Sequence, residues 1–185
     1  ENLLQQAQNF VNEENEVLTA EDALQGAMDI VAQQLSEDFE RKKKIRNIVF
    51  STTKIETSRK KSAEEKEGYL TYSMYFEYNE TAKDIPPHRI LAINRGEKED
   101  ILKVKYLHEE QNIKSVLMED IAHTEHNEDC LNRIVEDALK RLILPSLERE
   151  LRSTMTETAE ERAIEVFGQN LKDFLTALLF SKHLI

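Results

Sequence analysis

From Leu131 onward, apolar residues return at Ile134, Val135, Ala138, Leu139 and Leu142, the spacing of a single stripe along an α-helix. Little in the chain interrupts such patterns, because its 185 residues include only 4 glycines and 3 prolines. That scarcity disfavours a turn-rich all-β fold, since hairpins and tight turns draw on those two residues. Other stripes repeat the signal. Leu24, Ala27, Met28, Val31 and Leu35 predict a helix opened by Thr19-Ala20-Glu21-Asp22, which reads as a capping box. Ser36-Glu37-Asp38 marks a second start, for a helix through Phe39, Ile45, Ile48 and Val49. Ile113, Val116, Leu117 and Ile121 predict another helix, and Ala159, Ala163, Val166, Phe167, Phe174, Leu175 and Leu178 a long terminal one. Pro145 is expected to end or kink the helix that precedes it, having no amide hydrogen and crowding the turn before it.

A smaller extended element sits in the middle. Thr52, Thr53, Ile55 and Thr57 are β-branched and suit a pleated surface, while Leu102, Val104 and Tyr106 alternate with Lys103 and Lys105. These two segments are predicted to pair. Between them, Tyr69, Tyr72 and Tyr75 stand three residues apart, with Phe76 and Tyr78 following, so the row falls on one side of a short helix. Such a row can stack single-stranded bases or pack on a core, and the second is the preferred reading. Ile85-Pro86-Pro87 then starts a helix over His88 to Arg95, which Gly96 is placed to end. The expected fold class is mostly α, a multi-helix region with a small two-stranded β element. Residues 1–18 read as the remnant of a preceding helical segment, and 19–185 as one helical domain with a β insertion at about 51–106. A chain of this length can bury about 70% of its unfolded surface.

Charge is distributed unevenly. The formal net charge is −11, yet Arg41 to Lys61 holds nine bases and one acid, leaving the rest of the chain with 16 bases against 35 acids. An acidic body with one basic stretch can contact a polyanion locally while its long-range field opposes approach. The candidate nucleic-acid contacts are Lys42, Lys43, Lys44, Arg46, Arg59, Lys60 and Lys61. The alternative is that these bases are solvated or pair with carboxylates of their own chain. No apolar run approaches the roughly 18 residues that span a bilayer, and the single cysteine, Cys130, fits a reducing compartment. No membrane association and a cytoplasmic location are therefore expected. The chain opens at Glu1 without an initiator methionine, which leads us to expect a piece of a longer protein or a processed chain.

Four strings carry a resemblance. They are Ala23-Leu24-Gln25-Gly26-Ala27-Met28-Asp29-Ile30, Pro87-His88-Arg89-Ile90-Leu91-Ala92-Ile93-Asn94-Arg95-Gly96, Leu144-Pro145-Ser146-Leu147-Glu148-Arg149-Glu150, and the run from Ala159 to Leu171. In this order they resemble the N-terminal helical region of Tex-like transcriptional accessory proteins. The resemblance implies a parent protein that binds RNA or DNA, acts in transcription, and joins this region to RNase-H-like, helix-hairpin-helix and S1 domains. In that family the S1 domain is regarded as the main nucleic-acid contact. The strings are mostly apolar and structural, and none is catalytic by its chemistry.

Candidate chemistry is sparse. His123, His126 and Cys130 stand at i, i+3 and i+7 and could take three tetrahedral positions on zinc. However, Asn127-Glu128-Asp129 reads as a new helix start that breaks the shared face, and no fourth ligand stands at a recognised spacing, so a polar inter-helix loop is preferred. The four glycines are isolated and belong to no phosphate-binding fingerprint. We therefore expect no catalytic residues, no cofactor and no enzymatic activity. Two function classes follow. One is a non-enzymatic scaffold of a Tex-like nucleic-acid-binding protein, with a protein-interaction module for the transcription machinery as its close variant. The other is a metal-dependent hydrolytic domain around His123, His126 and Cys130.

Overall fold

Thr19 opens the first long helix through the reciprocal bonds of a capping box: its hydroxyl accepts from the Asp22 amide at 3.1 Å, and the Asp22 carboxylate accepts from the Thr19 amide at 3.1 Å. The computed structural model describes residues 3–119, 121 and 128–181, the side chains of residues 13, 180 and 181 apart. The described chain divides into two compact units, 1–49 with 109–148, and 50–108 with 149–185.

Among the described residues the first unit is helical apart from one isolated bridge. A short α1, Leu3–Ala7, leads through 3-10 turns to α2, Ala20–Glu37. Asn12 and Val17 exchange two backbone hydrogen bonds across the acidic turn between them. The α2 residues Met28, Ala32 and Leu35 are buried, while Ala27 and Val31 face solvent, so the buried stripe is rotated from the one read in the sequence. Asp38 separates α2 from α3, Phe39–Thr52, whose body to Val49 belongs to this unit. Its carboxylate accepts from the Arg41 amide at 2.8 Å, so Asp38 caps α3, whereas the Ser36 hydroxyl donates back to the Gln33 carbonyl within α2. The helix α5, Glu110–Met118, buries Ile113, Val116 and Leu117 and stops before Ile121. The helix α6, Glu128–Asp137, packs on α2 and passes into a π-helical segment, Ala138–Ile143.

Pro145 explains that segment. It has no N–H for the carbonyl four residues back, and its ring crowds that turn. The helix widens instead of ending, with the Leu144 amide bonding to the Leu139 carbonyl five residues away, and continues as α7, Leu144–Ser181.

In the second unit, β1 (Lys54–Arg59) lies between β2 (Glu77–Thr81) and β3 (Leu102–Leu107), antiparallel to both. The two segments expected to pair do so, with Ile55 opposite Tyr106 and Thr57 opposite Val104, and β2 adds a third strand beyond the two expected. The tyrosine row is a 3-10 helix, Tyr69–Tyr75, in which a three-residue spacing places all three rings on one side. Tyr72 and Tyr75 are buried in a core with Ala63, Ile93, Ile101 and Leu102. The mostly α class with a small sheet thus holds, and the tyrosines are core.

The helix α4, Pro87–Lys98, starts at its proline and runs past Gly96. Its end is a Schellman arrangement: the Ile101 amide bonds to the Gly96 carbonyl and the Asp100 amide to the Glu97 carbonyl, with Asp100 left-handed at φ 61°. Gly96 serves packing instead. A β-carbon there would stand 2.7 Å from Leu102 and 2.9 Å from Tyr72, so only glycine lets the helix settle on that core.

Candidate interaction surface

The basic stretch does not form one surface within one unit. Arg41, Lys42, Lys43, Lys44 and Arg46 belong to the first unit on α3, and Lys54, Arg59, Lys60 and Lys61 to the second. Several of these bases are engaged by their own chain. Arg41 bonds to the Asp38 carboxylate at 2.8 Å and to the Glu119 carbonyl at 2.7 Å. Lys44 pairs with Glu119 at 2.5 Å. Arg59 pairs with Glu64 and lies over the Phe76 ring at 5.8 Å, while Lys60 pairs with Asp100. Arg46 is half-buried. Lys42 and Lys43, adjacent on α3 and one turn from Arg46, are exposed, as is Lys61. The bases most available to a polyanion are therefore the neighbouring Lys42 and Lys43 in the first unit, and Lys54 and Lys61, both exposed, in the second.

Two of the acids answering these bases, Asp38 and Asp100, have shifted proton affinities. The Arg41 amide, followed by its guanidinium, holds the Asp38 carboxyl below its ordinary value, and hydrogen bonds from Lys60 and Lys66 do the same for Asp100. The hydroxyl of Tyr72 is pushed up, first by burial and then by the bond it donates to Glu99 at 2.8 Å.

Of the metal candidates, His123 and His126 lie outside the described residues, and Cys130 is partly buried on α6. Among the described residues no cluster of three histidine, cysteine or carboxylate ligands is found, and no helix is long and apolar enough to cross a membrane.

The family-like strings come together within the units. In the second unit, α4 meets α7: Asn94 donates to the Thr156 hydroxyl at 2.9 Å, and Arg152 pairs with Glu97. Beyond Ala159 the two helices diverge around an open groove of about 500 Å³, lined by Pro87, His88, Leu91, Ala163, Val166 and Phe167. From there α7 continues with exposed side chains all round. Ile164, Phe167, Leu171, Phe174 and Leu178 alternate three and four residues apart, forming one seam, and each is between 47% and 71% exposed. Periodicity in the sequence places Phe167, Phe174 and Leu178 on one helix stripe, but only the packed chain adds Ile164 and Leu171 to them and shows that the face lies open.

The chain is similar to known proteins over nearly its whole length. A family model described as Tex central region-like matches residues 2–167. The chain is 41% identical over 171 residues, 91% of its length and 24% of the relative's, to the protein YdcI of Bacillus subtilis. It is 33% identical over 178 residues, 92% of its length and 23% of the relative's, to the transcriptional accessory protein Tex of Neisseria gonorrhoeae. To the human S1 RNA-binding domain-containing protein 1 it is 29% identical over 178 residues, 85% of its length and 17% of that protein's. The chain thus spans about a quarter of the length of these bacterial relatives.

Proposed function

Starting from the membership of this chain in the Tex family, we propose that it is a non-enzymatic scaffold within an RNA- or DNA-binding transcription accessory protein, holding its neighbours through the exposed seam of α7. The seam carries this reading. Five large apolar residues on one face, with Leu175 beside them, stay exposed where a self-sufficient domain would cover them. The polar residues around the seam, among them Glu160, Glu161, Arg162, Glu165 and Lys172, suit the rim of an interface. The reading assigns this chain no chemical step. Nucleic-acid recognition rests chiefly with the rest of the parent protein, and Lys42 and Lys43 add an auxiliary phosphate contact in the cytoplasm.

The test compares the chain with the longer Tex-like protein that contains it. Phe167→Glu with Leu171→Glu should leave the melting temperature of the isolated chain unchanged, because both side chains are already in water. In the longer protein the same pair should raise hydrogen exchange along α7 and lower the melting temperature. An equal response in both proteins would sink the scaffold reading. A second reading, a protein-interaction module without nucleic-acid contact, is favoured by the engagement of Arg41, Lys44, Arg59 and Lys60 with their own chain. Wild-type affinity for single-stranded RNA and duplex DNA after charge reversal of Lys42 and Lys43 would select it.

A further inference from the structure

A second apolar trough lies in the first unit, independent of the α7 seam. It is an open groove of about 470 Å³ along α2, closed on one side by α1 and the turns that follow. Leu3, Ala7, Phe10, Val17, Leu24 and Ile30 line it. The helix α2 is thus apolar on two faces. Met28, Ala32 and Leu35 are buried on one, whereas on the other Ile30 stays 59% exposed and Phe10, from the facing turn, 72%. The groove follows α2 from Asp22 to Ile30, a length of about 12 Å, enough for two to three turns of a docked helix.

The charge around the groove narrows its occupant. Residues 1–40 contain ten acids and no base, the first base being Arg41, which Asp38 and the Glu119 carbonyl already hold. Asp22 itself lines the groove, Glu21 adjoins it, and Glu14 and Glu16 stand exposed in the turn joining Phe10 to Val17, whereas Asp29, beside Ile30, is already paired with Arg141 at 3.6 Å. That turn is held in place by the Asn12–Val17 bonds and by the bond from the Glu14 amide to the Asn12 side chain at 2.9 Å. An apolar trough in a segment with ten acids and no base of its own, where Arg141 answers only Asp29, repels nucleic acid and acidic peptides and attracts lysine and arginine. We propose that the α1–α2 groove is a docking site for a basic amphipathic helix of a partner protein, which seats its apolar face on Leu24, Ile30 and Phe10 and its cationic flanks on the surrounding carboxylates.

The probe is a labelled model helix of about five turns, with leucine along one face and lysine elsewhere, titrated by anisotropy into the 185-residue chain. The expected result is binding that weakens as salt rises, is reduced about tenfold by Ile30→Lys or Phe10→Glu, and is unchanged by Met74→Lys, an equally exposed position in the other unit. Circular dichroism of each variant guards against unfolding. A companion helix with glutamate in place of lysine should not bind. The proposal is overturned by absence of binding at low salt, by equal binding of the two helices, or by loss on Met74→Lys equal to that on Ile30→Lys. Self-association of the chain abolished by Ile30→Lys would also overturn it, giving the groove to a second copy.

Discussion

Gly96 and Asp100 show how much a single position decides when a helix must rest on a core. Gly96 to alanine gains roughly 1 kcal/mol of intrinsic helix propensity, but the added methyl meets Leu102 and Tyr72 inside van der Waals contact. Overpacking costs about 1–3 kcal/mol, so Gly96→Ala should be net destabilising in chemical denaturation; a stabilised variant would show that the core yields. Asp100 takes the left-handed position usually given to glycine and uses it to meet Lys60 and, at 3.1 Å, Lys66. Those ammonium groups hold its carboxyl below the usual 3.8. The unfolded chain therefore takes up the proton first, so the stabilisation is complete above about pH 3.8 and is lost as pH falls through the depressed folded value. Asp100→Asn keeps a side chain that tolerates the conformation and removes the charge. Its melting temperature should lie below the parent's near neutral pH, with the gap closing in acid; a gap independent of pH would remove the ion pairs from the account. Neither role was legible in the sequence. Gly96 read as a helix stop because glycine commonly ends helices, and its partners, Tyr72 and Leu102, are brought to it only by the fold.

Elements were easier to read than their faces. The capping box at Thr19 and the proline start of α4 follow from local chemistry, and both are present; the two extended segments also pair, though their register came only from the fold. The helix α3 was legible as a helix, yet the state of its bases was not, because Glu119, which engages Arg41 and Lys44, is about 75 residues away in sequence. This leaves Lys42 and Lys43 as the phosphate-facing pair of α3 in the proposed function. Reversing both to glutamate should reduce the slope of log K against log salt for duplex DNA by roughly 2, near 0.9 for each phosphate no longer neutralised. An unchanged slope removes α3 from nucleic-acid binding. Pro145 teaches the same lesson in reverse: its missing amide was visible, but a widened π turn rather than a break was the response of the fold.

At the scale of the molecule, charge divides with the two units. The first holds nine bases against twenty acids, a net of −11, and the second sixteen against sixteen. Self-repulsion is therefore concentrated in the helical unit. Raising the salt to about 1 M, where the screening length is about 3 Å, should slow hydrogen exchange in α2, α3, α5 and α6 more than in the sheet and α4. A uniform response would mean that local pairing already offsets the repulsion. What the sequence determined by itself was what depends on neighbours along the chain: helix-dominated architecture, caps, strand alternation, and the family to which the strings belong. Only the tertiary structure decided which stripes are buried and which bases are engaged. Periodicity marks a face as apolar without naming what covers it, so the buried stripe of α6 and the exposed seam of α7 read alike until distant segments have packed.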